Sequence, residues 1–468
     1  MSTTSATSRL AAFVCGLDPQ TLPPPVVDQA VRCVLDLTGV AIAGSATPLA
    51  KISAAFAAEQ FAPGEASVVG SRNRLGVVGA TWINGACASA LDMDDGNRLA
   101  MGHPGASVIP AALAVAEDRG ASGLQFLAAL VAGYEAAVRA SAARVPWYKD
   151  KMYSTGIWGV FGAAAAAGKL LGLNEERLQS ALGIAGSHGA FPPGGLQANH
   201  AMVKETIAWS GMTGVASALL AERDFVGPSD FFDYTQRWDA SAFVAGLGDR
   251  GGYAIGKTYF KPYAVCRWAH AAVDAVLALK HRHALASGAV EGIHVETFAE
   301  VTRLANYAPR NTIAAQFSIP FALAVAMIHD RIGPAEVSEA NIGDASILDL
   351  ARKVRVTVDA DFDRQFPART IARVTIRARG EDLATTVEYP RGNPENPLSD
   401  AELEAKFLQL ADDVVGQARG RALLSAIRDL PRAPDVRALT ELLRYERIVR
   451  CRTPRSASAS RRPARARP

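Results

Sequence analysis

Residues Trp158 to Ala190 read WGVFGAAAAAGKLLGLNEERLQSALGIAGSHGA. The run Ala163 to Ala167 combines high helix propensity with small side chains, which favours helices in close contact. Asn174 is a preferred N-cap residue and is followed by two acids, so a helix is predicted from Asn174 to Ser187. This stretch therefore predicts a core of closely packed helices.

The same preference extends over much of the chain of 468 residues. Apolar residues make up 49% of it and aromatic residues only 7%, which suits a large helical core better than a β-sandwich. Apolar positions recur at helical spacing in many segments, for example at Val27, Val31 and Val34. Helices are predicted to dominate up to about residue 265.

The pattern changes after residue 265, where helical stretches near 268–280 and 312–328 alternate with strand-like segments. The strand-like segments are Ile293 to Thr297, Val354 to Val358, Val374 to Ile376 and Leu383 to Tyr389. A capping box at Ser399 and Glu402 then starts another helix.

These patterns together predict a mainly α fold with a large helical domain and a smaller α+β domain. The helical domain comprises residues 1–265 and a return segment at 393–448, and the α+β domain comprises residues 266–392. Residues 449–468 contain seven arginines and no acid and are predicted to be a disordered basic tail.

The charge and cysteine content limit the range of partners. The formal net charge of +3 depends on the tail, and the body has no basic patch with interleaved aromatics, so nucleic-acid binding is not expected. Five scattered cysteines without a CxxC pair favour a reducing compartment. No apolar run reaches the roughly 18 to 20 residues that a bilayer requires, and a cytoplasmic protein without membrane contact is predicted.

Two nucleotide-binding patterns overlap near residue 250, and neither is expected to function. Gly246 to Gly251 matches GxGxxG and Gly251 to Thr258 matches GxxxxGKT. Both motifs require a helix directly after the glycine loop, and Pro262 would interrupt such a helix. No nucleotide or other cofactor is predicted.

The acidic run Asp92, Asp94 and Asp95, with His103 nearby, contains ordinary metal ligands. Its spacing matches neither an EF-hand nor HExxH. A helix end with solvated or hydrogen-bonded acids is the preferred interpretation, and no metal is predicted.

The segment Leu91 to Glu117 reads LDMDDGNRLAMGHPGASVIPAALAVAE and places His103 immediately before a helix. A histidine beside the free N–H groups of a helix N-terminus can handle a proton next to a bound carboxylate. On this segment alone, a histidine that merely caps a loop is an equally good interpretation.

Several motifs in the same order resemble the MmgE/PrpD family, which includes 2-methylcitrate dehydratase, cis-aconitate decarboxylase and iminodisuccinate epimerase. The motifs lie in Leu91 to Glu117, Trp158 to Ala190, Leu219 to Pro228, Lys261 to Ala275, Gln316 to Ala324 and Gly392 to Phe407.

The resemblance implies a large all-helical domain with an α+β lid, usually as a homodimer, and a cofactor-independent site for a small polycarboxylate in the cleft between them. Five catalytic residues are carried over from the family or occupy a family position: Asp92, His103, Tyr153, Lys204 and His270. In the predicted roles, Asp92 orients, His103 transfers a proton, Lys204 holds a carboxylate or acts as a base, and His270 donates from the lid. Candidates for substrate binding are Arg98, Gly105, Ser107, Gln316 and Ser318.

Two departures from the family pattern bear on the reaction. Tyr153 stands where dehydratases and decarboxylases usually have a histidine, and Phe321 stands where the family can have an aromatic hydroxyl. Together with the loop GNRLAMGHPG at Gly96 to Gly105, these departures favour an epimerase of an iminodisuccinate-like amino- or imino-dicarboxylate, working through an enolate-like intermediate. The alternatives are a dehydratase or decarboxylase acting on a tricarboxylate, and a non-catalytic binding protein of the same fold.

Overall fold

The computed structural model describes residues 5–144, 154–190, 201–234, 237–249 and 252–445. The first group of α-helices in these residues is α1 (Ala6–Gly16), α2 (Pro24–Gly44), α3 (Pro48–Gln60), α4 (Val77–Ser89), α5 (Pro104–Arg119), α6 (Gly123–Ala142), α7 (Gly156–Leu170), α8 (Glu175–His188), α9 (Ile207–Glu222) and α10 (Ala240–Val244). The second group is α11 (His270–Arg282), α12 (Thr312–Gln316), α13 (Ile319–His329), α14 (Glu339–Ile342), α15 (Ala345–Ala351), α16 (Ala360–Gln365), α17 (Asp400–Val415), α18 (Gln417–Arg428) and α19 (Arg437–Leu443).

The strands are few and short by comparison. They are β1 (Ala66–Ser67), β2 (Arg74–Leu75), β3 (Gly96–Asn97), β4 (Thr258–Tyr259), β5 (Val290–Thr297), β6 (Val354–Val358), β7 (Ala372–Ala378) and β8 (Glu381–Val387). The last four form one sheet in the order β6-β5-β7-β8, in which only the β5–β6 pair is parallel. The mainly α fold is confirmed, although the two-residue pairs β1–β2 and β3–β4 show that the first part is not purely helical.

The predicted alanine-rich core lies where α7 packs against α6 and α9. The alanines from Ala163 to Ala167 are fully buried. A Cβ atom on Gly162 would lie 2.7 Å from the carbonyl oxygen of Gly133 on α6, so small residues are required for the backbones to approach this closely. The next helix, α8, begins as predicted, because the Asn174 side chain accepts a hydrogen bond from the backbone N–H of Arg177.

The sheet and the helices around it form a second apolar cluster. Helix α11 packs against β7 and β8. The helical stretch predicted at 312–328 is in fact two helices, α12 and α13, because Ser318 caps α13 and Pro320 has no N–H to continue the hydrogen bonds of α12.

The end of the described chain returns to the first helices. Ser399 and Glu402 form the predicted capping box at the start of α17, and α17 packs against α2. Residues Ala254–Lys257 form a short 3-10 helix that leads directly into β4, so no α-helix follows the glycine-rich segment directly. The predicted domain limits at 265 and 392 remain predictions.

No single helix in the described ranges is long and apolar enough to cross a membrane. The bent pair of α2 and α3 passes the same test only when the two are taken together, by length and composition alone, with an angle of 86° between them.

Candidate active site

A cavity of about 110 Å³ is lined by the loop before α5, by Glu205 and by segments of the chain between Tyr259 and Asn393. One water molecule occupies roughly 10–15 Å³ on this scale, so the cavity can hold a small organic acid. Its charged and amide-bearing lining residues are Arg98, His103, Glu205, Arg267, Arg303 and Asn393.

Next to this cavity, Asp92, Lys204 and Lys261 form what we call the ion cluster. The Lys204 ammonium donates to Oδ1 of Asp92 at 3.0 Å, and the Lys261 ammonium donates to Oδ2 at 2.7 Å. All three side chains are buried. Burial by itself raises the pKa of Asp92, but the two ammonium groups outweigh it and hold the pKa well below its ordinary value. Asp92 is therefore a fixed anion between two cations.

The backbone around Lys204 has an unusual conformation. Lys204, Glu205 and Thr206 have φ angles of 40°, 56° and 57°, a region that costs non-glycine residues of the order of 1–3 kcal/mol each. The turn points the Lys204 ammonium towards Asp92 and also towards Oε1 of Gln316, at 3.0 Å. The same turn brings Glu205 to the wall of the cavity.

His103 is the residue directly before α5 and is 7% exposed. Its Nδ1 lies 2.8 Å from the carbonyl oxygen of Asp95, which can only accept, so Nδ1 carries a hydrogen. The Nε2 atom is thereby left for the cavity. Burial alone lowers the pKa of His103, but the carboxylates nearby, above all Asp94 at 3.7 Å, raise it above its ordinary value.

Thr155 connects His103 to Glu205. The backbone N–H of His103 donates to Oγ1 of Thr155 at 3.2 Å, and this hydroxyl donates to the Glu205 carboxylate at 2.5 Å. Glu205 also accepts from the Thr155 backbone N–H at 3.0 Å. These contacts fix the position of His103 relative to Glu205 on the cavity wall.

Asp94 and Asp95 are buried, so the prediction that these acids are solvated is wrong. The alternative prediction, that they are hydrogen-bonded, is confirmed for Asp95. The Asp95 carboxylate accepts from the Tyr134 hydroxyl and from the Gly105 N–H, the latter at 2.9 Å. Burial and neighbouring acids raise the pKa of Asp95 to about 7. No group of three or more His, Cys, Asp or Glu side chains within the described ranges could hold a metal ion.

The structure does not bring His270 to the cavity. The ring is fully buried, its Nδ1 faces Nη1 of Arg267 at 3.2 Å, and its Nε2 faces the carbonyl oxygen of Val265 at 3.1 Å. Burial and then the Arg267 charge lower the pKa of His270 well below its ordinary value. The predicted proton donation from His270 is replaced by a structural contact with Arg267.

Of the five residues predicted to bind substrate, only Arg98 lines the cavity. Gly105 is required for packing, because a Cβ there would lie within 2.7 Å of the Asp95 carboxylate. Ser107 is hydrogen-bonded to Ser210 at 2.8 Å, and Ser318 caps α13. Gln316 contacts Lys204 rather than the cavity.

The two departures from the family pattern that contributed to the epimerase prediction, Tyr153 and Phe321, give no support to it in the structure. Tyr153 lies outside the described residues. Phe321 is fully buried within the apolar cluster around the sheet, so the absence of a hydroxyl on its ring does not affect the cavity.

Four charged residues of this region were missed from the sequence: Lys261, Arg267, Glu205 and Arg303. Lys261 and Arg267 lie in the motif KPYAVCRWAH, from which His270 was predicted. The motif therefore indicated the segment that holds them, although neither residue was predicted. Glu205 directly follows Lys204. Arg303 carried no signal in the sequence.

Comparison with known proteins agrees with this architecture. The family model of the MmgE/PrpD N-terminal domain matches residues 8–246, and that of the MmgE/PrpD C-terminal domain matches residues 263–431. The cis-aconitate decarboxylase-like protein oryM of Aspergillus oryzae is 27% identical to the chain, with 94% of this chain and 98% of the relative covered. The cis-aconitate decarboxylase of Aspergillus terreus is 27% identical, with 93% and 95% covered. The human cis-aconitate decarboxylase is 25% identical, with 94% and 95% covered. With both domain models matched in order over most of its length, the chain belongs to the MmgE/PrpD family of enzymes.

Proposed function

We propose that this enzyme is a lyase that removes CO2 from a small unsaturated tricarboxylate of the cis-aconitate type. The observation that carries the proposal is a cavity lined by His103 together with three arginines, Arg98, Arg267 and Arg303. Guanidinium groups are suited to carboxylates because their N–H donors match the two oxygens. The similarity to cis-aconitate decarboxylases over more than nine-tenths of the chain supports the same reaction class.

The proposed reaction needs one proton and one broken carbon–carbon bond. The electron pair of the bond to the departing carboxylate stays on the substrate when CO2 leaves, and a proton is added to a substrate carbon. The charge that develops on the substrate is stabilised by the cations around the cavity. The products are CO2 and a dicarboxylate that has gained one hydrogen.

His103 is proposed to supply that proton from Nε2. The carboxylates around it raise its pKa, which keeps the imidazolium form available near neutral pH. After the transfer, the neutral ring is still held by the Asp95 carbonyl through Nδ1. A proton from solvent then restores the acid for the next turnover.

The ion cluster is proposed to act electrostatically rather than as a base. The Lys204 ammonium already donates to Asp92 and Gln316 and lies 5.0 Å from the centre of the Phe317 ring. Phe317 itself lines the cavity. The cluster therefore contributes positive charge behind the cavity wall without giving up a proton.

The test is to incubate the purified enzyme with cis-aconitate and follow CO2 release and the products by NMR. We expect CO2 release that His103→Asn abolishes. Hydration of the substrate without CO2 would indicate a dehydratase-type lyase instead, and would contradict decarboxylation.

Two further substrates decide between the remaining possibilities. An amino-dicarboxylate that exchanged its α-hydrogen for deuterium in heavy water, with no reaction of cis-aconitate, would return the assignment to the epimerase type. In that case Tyr153→Phe, with exchange measured separately for each enantiomer, would show whether two facing bases are used. Binding of tricarboxylates with no turnover of either substrate would favour the non-catalytic alternative.

A further inference from the structure

Arg267 is a buried guanidinium that has only neutral hydrogen-bond acceptors. Its Nη1 donates to the Arg391 carbonyl at 3.1 Å and to Nδ1 of His270 at 3.2 Å. Its Nη2 donates to the Pro390 carbonyl at 3.3 Å and to the Asn393 side chain. No carboxylate within the described part of the chain forms an ion pair with it.

Two other buried cations beside the cavity do have a carboxylate partner. Lys204 contacts Asp92 at 3.0 Å and Lys261 contacts it at 2.7 Å. Removing a charge from water without a counter-charge costs several kcal/mol. Arg267 is 6% exposed and lines the cavity, so an anion bound in the cavity can reach it.

Arg98 stands on the same cavity wall with one donor unused. Its Nη2 donates to the Glu395 carboxylate at 2.6 Å. Its Nη1 is buried and has no hydrogen-bond partner among the described residues. Such an atom loses its hydration without compensation unless a ligand supplies an acceptor.

The two guanidinium groups line the same cavity and carry like charges, which repel each other. Burial is the main cause that lowers the pKa of Arg267; Tyr259, Asp274 and Tyr263 act in the opposite direction, and the charge of Arg98 lowers the pKa further. An anion placed between them would remove this repulsion and satisfy the free donor of Arg98 at the same time.

We propose that Arg98 and Arg267, which we call the arginine pair, bind a substrate carboxylate that does not take part in the reaction. The carboxylate accepts from Nη1 of Arg98 and serves as the counter-charge of Arg267. His270 is a positioning residue, because its neutral ring holds Nη1 of Arg267. This inference rests on the proposed function for the identity of the substrate. It implies that the enzyme binds a tricarboxylate more tightly than the dicarboxylate of the same chain length.

The experiment measures binding without turnover, by titration calorimetry with two saturated acids. Propane-1,2,3-tricarboxylate and pentanedioate share the five-carbon chain, but only the first has a carboxylate on the middle carbon. We expect the wild-type enzyme to bind the tricarboxylate about 10-fold or more tightly than the dicarboxylate, as for a hydrogen bond between charged groups.

Three variants locate the origin of this preference. Arg98→Gln and Arg267→Gln should each reduce the ratio of the two affinities to near one, while Arg352→Gln, a change at an exposed residue of α15, should leave it unchanged. Arg98 is about one-third exposed, so its variant is the one expected to fold normally if Arg267→Gln does not. His270→Asn should lower the affinity for the tricarboxylate and leave the affinity for the dicarboxylate unchanged. A purely structural role of His270 would lower both affinities together.

The outcomes separate this inference from the proposed function. An unchanged ratio in a folded Arg98→Gln protein overturns the arginine pair, whatever the reaction. A wild-type preference that Arg98→Gln removes supports the pair even if cis-aconitate releases no CO2, in which case only the proposed reaction fails.

Discussion

The ion cluster lies beside the cavity and the arginine pair lines it, and the two groups of charged residues are built differently. In the ion cluster both ammonium groups contact the Asp92 carboxylate. In the arginine pair, Arg267 contacts neutral acceptors and Arg98 keeps a buried donor unused. Both cations of the ion cluster contact a carboxylate of the protein, whereas in the arginine pair only Arg98 does, through Glu395, and Arg267 is proposed to take its counter-charge from the substrate.

This difference also explains the arrangement of His103 between acids and cavity. Its Nδ1 is satisfied by the protein, whereas Nε2 is left for the cavity. The hydrogen bond from Nδ1 fixes the tautomer, and the carboxylates near the ring raise its pKa. Nε2 is available for proton transfer. If this distinction holds, replacing a side chain whose polar atoms all have partners in the protein should change stability, and replacing one with an atom left for the cavity should change activity or binding.

The largest effect is expected from His103→Asn. The asparagine amide can still donate to the Asp95 carbonyl, but no proton can be transferred from the position of Nε2. General acid–base catalysis contributes about 10² to 10⁴-fold, so kcat should fall by this factor while the urea unfolding midpoint changes little. A variant that keeps more than half of the wild-type kcat would remove His103 from the mechanism.

The second effect is on stability and comes from Lys261→Met. Removing one partner of a buried ion pair typically destabilises a protein by about 3–5 kcal/mol, and Lys261 is fully buried against Asp92. The free energy of unfolding from urea titration should fall by this amount. Arg352→Gln breaks an exposed pair and serves as the control, which should unfold like the wild type. Equal stability of the two variants would contradict the structural role of the ion cluster.

The fold was predictable from sequence because its signals are local. The cap at Asn174, the capping box of Ser399 and Glu402, and the alanine run of α7 each depend on residues a few positions apart. The same local rules would have identified Ser318, which precedes a helix with proline in its first turn, as a cap. The prediction that Ser318 binds substrate came instead from its place in the family-like motif Gln316 to Ala324.

The candidate site was less predictable because its decisive contacts are distant in sequence. Asp92 and Lys261 are 169 positions apart, and nothing in either segment indicates the other. His270 was recognised as part of a motif, but only the three-dimensional structure shows that both ring nitrogens are occupied. The motif located the right segment, and Arg267 is the charged residue of the motif that lines the cavity, between Cys266 and Trp268.

A smaller effect is expected from Asp94→Asn, and it should appear in the pH profile. Among the neighbouring charges, the Asp94 carboxylate contributes most to raising the pKa of His103. As a general acid, His103 must be protonated, so kcat/KM is retained below its pKa and lost as pH rises through it. Neutralising Asp94 lowers that pKa, and the loss of kcat/KM should move to lower pH. Asp349→Asn, at an exposed position, should leave the profile in place, and an unmoved profile in Asp94→Asn would show that His103 is not the group being titrated.

The smallest effect is expected from Ser318→Ala, which distinguishes a satisfied polar group from a substrate-binding one. The Ser318 hydroxyl accepts from the Phe321 N–H at 3.1 Å and donates to the Asn306 carbonyl, so both of its hydrogen-bonding functions are used by the fold. Loss of an N-cap typically costs about 1 kcal/mol, and the free energy of unfolding should fall by about this amount. Because Ser318 directly follows Phe317, which lines the cavity, a small change in kcat is compatible with this role. The affinity ratio for propane-1,2,3-tricarboxylate over pentanedioate should stay at its wild-type value. A ratio that fell as far as in Arg98→Gln would mean that Ser318 contacts the substrate after all, and that a fully hydrogen-bonded group can still take part in binding.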